Sequence, residues 1–235
     1  MIIDRKMSAG VLNVSRRAVS LGFGAGALVL ATGLPAFAEE AKPEPKWGGD
    51  GMPNGLRDDP TLFVSIAQDG TVSILCIRSE MGQGVRTSVP MVVADEMDAD
   101  WARVKVVQAL GDEVRYGNQD TDGSRSLRHH FMPLRRIGAA ARQMLEAAAA
   151  AKWGVPVGEV EADNHEVVHK ASGKKIGFGD LAKEAAAQPA PERDALKLKD
   201  PSKFRYIGKG KTSLVDNMAI TTGSAIYGTD VRREG

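Results

Sequence analysis

Cysteine is all but missing. Cys76 stands alone in 235 residues, so no intrachain disulfide can form. It lies within Val72-Ser73-Ile74-Leu75-Cys76-Ile77, where a free cysteine packs as a small hydrophobe and is expected to be a buried strand residue. Neither sign of charge is in excess, with 31 Lys and Arg against 30 Asp and Glu. That balance leaves no electrostatic footprint for nucleic acid or anionic lipid. The 4 histidines do not form a metal set. His165 and His169 are four apart on a strand-like segment, about 13 Å at ~3.3 Å per residue, too far to share one ion. His129 and His130 face different directions on a helix. The acidic run from Asp95 to Asp100 lacks the calcium-loop spacing and its central glycine, and is expected to be a solvated helix end. No Ser-His-Asp arrangement is discernible. Beyond the first forty residues no apolar run approaches the roughly 20 residues that a membrane span needs.

What is present begins at the N-terminus. Arg16 and Arg17 lead into an apolar, Gly-rich run from Leu21 to Leu34, followed by Ala36-Phe37-Ala38 before Glu39. A charged start, a short apolar run and a small-x-small cleavage site make a signal peptide over residues 1–38, and the paired arginines have the form of a twin-arginine signal. That route exports proteins already folded, as a cofactor inserted in the cytoplasm requires. Cleavage after Ala38 leaves 27 basic against 29 acidic residues. At 43% hydrophobic residues over the whole chain, the composition is globular rather than disordered.

Residues 39–60, rich in Pro and Gly, read as an extended leader. Leu62, Val64 and Ile66, then Val72, Ile74 and Cys76, alternate on either side of Asp69-Gly70, the pattern of a β-hairpin. Val89, Val92, Val93 and Met97 follow at helical spacing, with Pro90 tolerable only near that helix's start. Arg103 to Ala109 reads as a third strand. A long helix is expected from near Ser124 or Ser126 to about Lys152. Leu127, Phe131, Leu134, Ala141, Met144, Leu145 and Ala148 form its apolar stripe. Pro133 should kink it or delay its start, and Gly154 and Pro156 should end it. A short hairpin around Ser172-Gly173 and a short helix from Phe178 to Ala187 complete the unit. Residues 188–206 read as a linker, and 207–235 as the beginning of an incomplete second domain. The fold class is α+β.

Two Gly- and Ser-rich corners each precede a helix: Glu80-Met81-Gly82-Gln83-Gly84 and Thr121-Asp122-Gly123-Ser124-Arg125-Ser126. Glycine permits close approach of the backbone, and the free amides of a helix start favour an anion. Ser124 and Ser126 add hydroxyls, and Gln83 offers both a donor and an acceptor. The same features also suit ordinary turns with helix caps.

In this order and context the two corners resemble those of the xanthine dehydrogenase and aldehyde oxidoreductase family of molybdenum hydroxylases. The likeness is closest to the large molybdopterin-binding subunits of isoquinoline 1-oxidoreductases and membrane-associated aldehyde dehydrogenases. Glu80-Met81-Gly82-Gln83-Gly84-Val85 and Thr121 to Ser126 carry it, supported by Pro133 to Arg142, Ile207-Gly208-Lys209 and Thr221 to Arg232. It runs from about residue 60 to the end.

The resemblance implies a molybdenum cofactor, molybdopterin in its cytosine dinucleotide form. Gln83 and Gly84 would contact the pterin; Gly123, Ser124 and Ser126 would hold pterin or phosphate groups. Asp122 departs from the pattern, standing where exported members commonly carry Gly, and is expected to point away. The family's Gly-Gly-Gly-Phe-Gly type loop and activating glutamate do not occur, so the catalytic residues lie outside this chain. The last segment is similar to the first strand of the family's next domain. The implied reaction is oxidation of an aldehyde, or hydroxylation of an N-heterocycle, with oxygen from water. Implied partners are the remainder of the molybdenum subunit, a small two-iron two-sulfur subunit and a haem-bearing cytochrome c, in the periplasm. An exported non-catalytic module that has lost the cofactor is the competing reading.

Overall fold

The computed structural model describes residues 27–29, 56 and 59–234. The expected export signal and leader lie almost wholly outside them. Within the expected signal, a short edge strand is described, β1 (Ala27–Val29), drawn from its apolar run.

The described domain opens with a one-turn helix, α1 (Pro60–Phe63). Asp59 caps it by accepting the Thr61 N–H at 2.8 Å, and Pro60 takes the first helical position, where its fixed φ is already helical. Leu62, expected on a strand, is therefore helical. The hairpin follows as β2 (Val64–Ala67) and β3 (Val72–Cys76), with Val64 opposite Ile74 and Ile66 opposite Val72. Asp69 accepts the Thr71 N–H at 2.8 Å across the turn, and Gly70 takes φ 86°. The chain then crosses through α2 (Val85–Met97) to β4 (Val104–Gln108), which pairs parallel to β3. The sheet order is β1-β2-β3-β4, with β1 antiparallel to β2.

A short turn of helix, α3 (Glu113–Tyr116), interrupts the stretch after β4 and buries Tyr116 edge-on against Phe63. The long helix expected from Ser124 or Ser126 is divided. A single turn, α4 (Arg125–Arg128), precedes α5 (Phe131–Trp153). Pro133 explains the delay. It has no N–H to donate and clashes with the preceding turn, so it is accommodated only where the helix amides have no partner anyway, at the third position of α5. Gly154 ends α5 with φ 66°.

A second sheet holds β5 (Val160–Asp163), β6 (Glu166–His169) and β7 (Lys175–Gly177), all antiparallel. The expected two-stranded hairpin thus gains a strand on its N-terminal side. The turn that adds it is Asn164-His165, both at positive φ, the conformation that tight hairpins favour. Helix α6 (Phe178–Ala186) closes the unit against α5 and β2.

One core joins these parts. Val64, Leu134 and Met144 are all buried in it, with Cys76 and Ile137. Helices α2 and α5 cross at Gly138, where a Cβ would come within 2.6 Å of the Val93 carbonyl oxygen. No described helix is long and apolar enough to cross a membrane.

The acidic run is not solvated. Asp95 and Glu96 are fully buried and Asp98 nearly so. They receive the segment read as a linker. Asp95 accepts the N–H groups of Arg205, Tyr206 and Ile207 at 2.9–3.0 Å. Lys199 reaches Asp98 at 2.7 Å and Asp95 at 3.2 Å. Glu96 pairs with Arg135 at 2.8 Å and accepts the Lys199 N–H. Burial pushes the Asp95 carboxyl up, but the three backbone donors and Lys199 outweigh it and hold the group below its ordinary value. Beyond residue 207 the expected strand does not form. The described residues there hold one short helix, α7 (Asn217–Thr221), and a 3-10 turn at Gly228–Asp230.

Candidate cofactor-binding site

The first corner links β3 to α2. Gly84 takes φ 82° at the cap of α2 and is buried against Leu214: a Cβ would lie 2.6 Å from Leu214 Cδ2. The amides expected to be free are not. The Glu80 carboxylate accepts the N–H groups of Gly82 and Gly84 at 2.9 Å and of Arg86 at 3.0 Å. Burial pushes the Glu80 carboxyl up, but these N–H groups outweigh it and leave the group below its ordinary value. An anion at the start of α2 would have to displace a carboxylate already bound there. Gln83 is exposed, and its side chain is engaged within the loop. Its Oε1 accepts the Met81 N–H at 2.6 Å and its Nε2 donates to the Ser79 carbonyl at 3.1 Å.

The second corner precedes α4. Gly123 and Ser124 both take left-handed φ, 48° and 55°, and both are exposed, while Ser126 is half-buried. Asp122, the departure from the family pattern, is neutralised by Arg125, whose Nε lies 2.9 Å from Asp122 Oδ1. The corners meet: the Ser79 N–H donates to Thr121 Oγ1 at 2.9 Å, and α4 packs on α2. The loop of Gln83 and the buried Gly84 therefore neighbours that of Gly123, Ser124 and Ser126.

Two residues in this region were assigned no role from the sequence. Glu80 carried a usable signal, a carboxylate just before a helix start. Arg78 carried none beyond being a charge at the end of an apolar strand. It is fully buried. Its Nη2 lies 2.8 Å from His130 Nδ1, while its Nε and Nη1 have no hydrogen-bond partner among the described residues. The other candidates are structural. His165 is buried, stacked on Phe178 at 4.7 Å; its Nε2 meets the Gly70 carbonyl at 2.7 Å and its Nδ1 accepts the Asp100 N–H at 3.1 Å. Cys76 is buried, and burial pushes its thiol up to about 11. No group of three or more metal-ligating side chains occurs among the described residues.

The two glycine corners are thus joined at one end of an α+β core. The molybdopterin cofactor-binding domain matches residues 15–228. The chain is 34% identical over 213 residues to the isoquinoline 1-oxidoreductase subunit beta of Brevundimonas diminuta, covering 75% of this chain and 27% of that one. It is 35% identical over 187 residues to the membrane-bound aldehyde dehydrogenase [pyrroloquinoline-quinone] of Gluconacetobacter polyoxogenes, covering 78% and 24%. Among solved structures, a Cu,Mo-CO dehydrogenase aligns with a TM-score of 0.44 at 22% identity, covering 51% of this chain and 15% of that one. The chain belongs to the molybdopterin-binding family of the molybdenum hydroxylases. It spans about a quarter of the length of the curated relatives it matches.

Proposed function

We propose that this chain is the molybdenum-cofactor-binding part of an exported oxidoreductase that oxidises aldehydes to carboxylic acids or hydroxylates N-heterocycles with oxygen from water. The observation that carries this is the junction of the two corners at Ser79 and Thr121, within a chain of this family. The residues fit an anionic organic cofactor in one respect above others: Arg78 is a buried cation with two nitrogens that have no hydrogen-bond partner among the described residues. They fit it less well at the start of α2, where Glu80 already holds the amides. The first corner would therefore offer the Gln83 side chain and the Gly84 backbone rather than a vacant helix start.

When bound, the cofactor supplies the redox and oxygen-transfer chemistry. The chain's part is to orient it. Gln83 and Gly84 would contact the pterin, and Gly123, Ser124 and Ser126 its pterin or phosphate groups. The cytosine dinucleotide form is the cofactor proposed. Electrons would leave through a two-iron two-sulfur subunit and a cytochrome c, with the remainder of the molybdenum subunit supplying the catalytic glutamate and the metal-side glycine loop. Export to the periplasm rests on Arg16-Arg17 and Ala36-Phe37-Ala38.

The test is to purify the native complex and measure molybdenum by elemental analysis, pterin by fluorescence after oxidation, and quinone. Turnover of aldehydes and N-heterocycles is then followed with an artificial acceptor in ¹⁸O-labelled water. About one molybdenum and one pterin per complex, with label in the product, is the expected result. Quinone without molybdenum would point to pyrroloquinoline quinone, the cofactor for which the aldehyde dehydrogenase relative is named. Neither cofactor would favour a non-catalytic module. The isolated 235-residue chain is expected to show no turnover.

A further inference from the structure

We propose that Arg78 is the residue through which this chain grips the phosphate-bearing part of its ligand at the Thr121–Ser126 corner, an inference that rests on the cofactor reading above. Arg78 is fully buried, two residues beyond the end of β3. A guanidinium away from water needs its N–H groups bonded, because an unpaired buried charge carries a large desolvation penalty. Among the described residues only one of its nitrogens has a partner. Nη2 lies 2.8 Å from His130 Nδ1 and 3.2 Å from its Nε2. Nε and Nη1 are left over.

The surroundings do not neutralise this cation by contact. The carboxylates near enough to act on it are Asp120 and Asp122. Asp122 is held by Arg125, and Asp120 accepts from Asn118 Nδ2 at 3.1 Å. Neither forms an ion pair with Arg78. Asn118 Oδ1, close in sequence to that corner, is likewise buried with no partner among the described residues. Arg78 is also tied to the corner by sequence, since the next residue, Ser79, donates its N–H to Thr121.

The unbonded groups fix the ligand class. Nε carries one N–H and Nη1 carries two, and they diverge around the planar guanidinium. One carboxylate, or one phosphate of nearly the same oxygen spacing, cannot satisfy groups that point apart, whereas a pyrophosphate, with oxygens on two phosphorus atoms, can. Arginine keeps its charge even when burial lowers its proton affinity, so the site is a permanent cation. In the cofactor-free protein Arg78 is then a liability, and in the loaded protein it is an anchor.

That reversal is the test. In the native complex, R78M and R78K are compared with wild type for molybdenum and pterin content, and for the thermal midpoints of cofactor-loaded and cofactor-depleted protein. R78M should lower cofactor content at least tenfold and lower the loaded midpoint, while leaving the depleted midpoint unchanged or raising it. R78K, which keeps the charge with fewer fixed donors, should fall between. Wild-type cofactor content in R78M overturns the proposal. So does an equal fall of both midpoints, which would make Arg78 only a prop for His130. Should R78M fail to fold, pyrophosphate titrated into depleted wild type and depleted R78K decides. A rise in midpoint that is weaker in R78K supports the site, and no rise in wild type overturns it. A wild-type complex lacking molybdenum and pterin sinks the cofactor reading, yet leaves the pyrophosphate response to judge Arg78.

Discussion

At the residue scale, the buried polar side chains separate those that serve the fold from those that serve a ligand. His165 serves the fold. Both ring nitrogens are used, one donating to the Gly70 carbonyl and one accepting from Asp100, and a glycine at 179 lets α6 press on the same turn, where a Cβ would meet the Gln68 carbonyl oxygen at 2.4 Å. Burial lowers the proton affinity of His165 below its ordinary value of 6.5, outweighing the bond to Gly70. The sign of the pH effect follows. The unfolded chain binds a proton at His165 more readily than the folded one, so the stability tied to the neutral ring is complete above about pH 6.5 and is lost as pH falls below it. The loss approaches about 1.4 kcal/mol per pH unit until the folded-state value is reached. Urea midpoints of wild type and H165Q between pH 7.5 and 5 check this: the slope should shrink in the variant, and equal slopes would contradict the assignment. Histidine spacing in the sequence excluded a shared metal but could not foretell this role. The partners of His165 lie 65 and 95 residues away. Arg78 was illegible for the same reason, since its burial depends on the second corner and His130.

At the element scale, local signals decided well and distant ones did not. Asp69-Gly70, the alternation around it, and the Gly154 stop have their causes within a few residues, and they appear where expected. Pro133 was legible as an obstacle to α5, and the break before Phe131 is its consequence. The end of α2 was misread because an acidic run is normally a solvated face, while here its counter-charges arrive from residues 135, 142, 199 and 205. The strap from Lys197 to Ile207 is thereby part of the domain's structure. D95N tests it. The replacement removes the charge that faces Lys199 and places an NH₂ group where backbone donors now point. Breaking a buried pair of this kind costs about 3–5 kcal/mol. A lower urea midpoint, together with faster tryptic cleavage between residues 197 and 211 than elsewhere, is the expected outcome. Uniform cleavage would mean that the strap is held by something other than Asp95.

At the scale of the whole molecule, the proposed export signal and the sheet would draw on the same residues. The family match takes in the apolar run from residue 15 onward, and Ala27–Val29 within it lies antiparallel on β2, with Ala27 opposite Ala67 and Val29 opposite Ser65. Cleavage after Ala38 would remove β1 and turn β2 into the edge of the sheet. An open edge is a template for pairing, so the processed chain would offer β2 to another strand of its complex. Three paired residues are a small contact. We predict that the protein is exported folded and begins at Glu39. Replacing Arg16 and Arg17 with lysine should retain it in the cytoplasm, seen by fractionation and blotting. N-terminal sequencing of the exported wild type should read from Glu39. Undiminished export of the lysine variant would sink the twin-arginine reading, and an exported chain that still carries Ala27–Val29 would show that β1 is a permanent strand rather than part of a discarded signal.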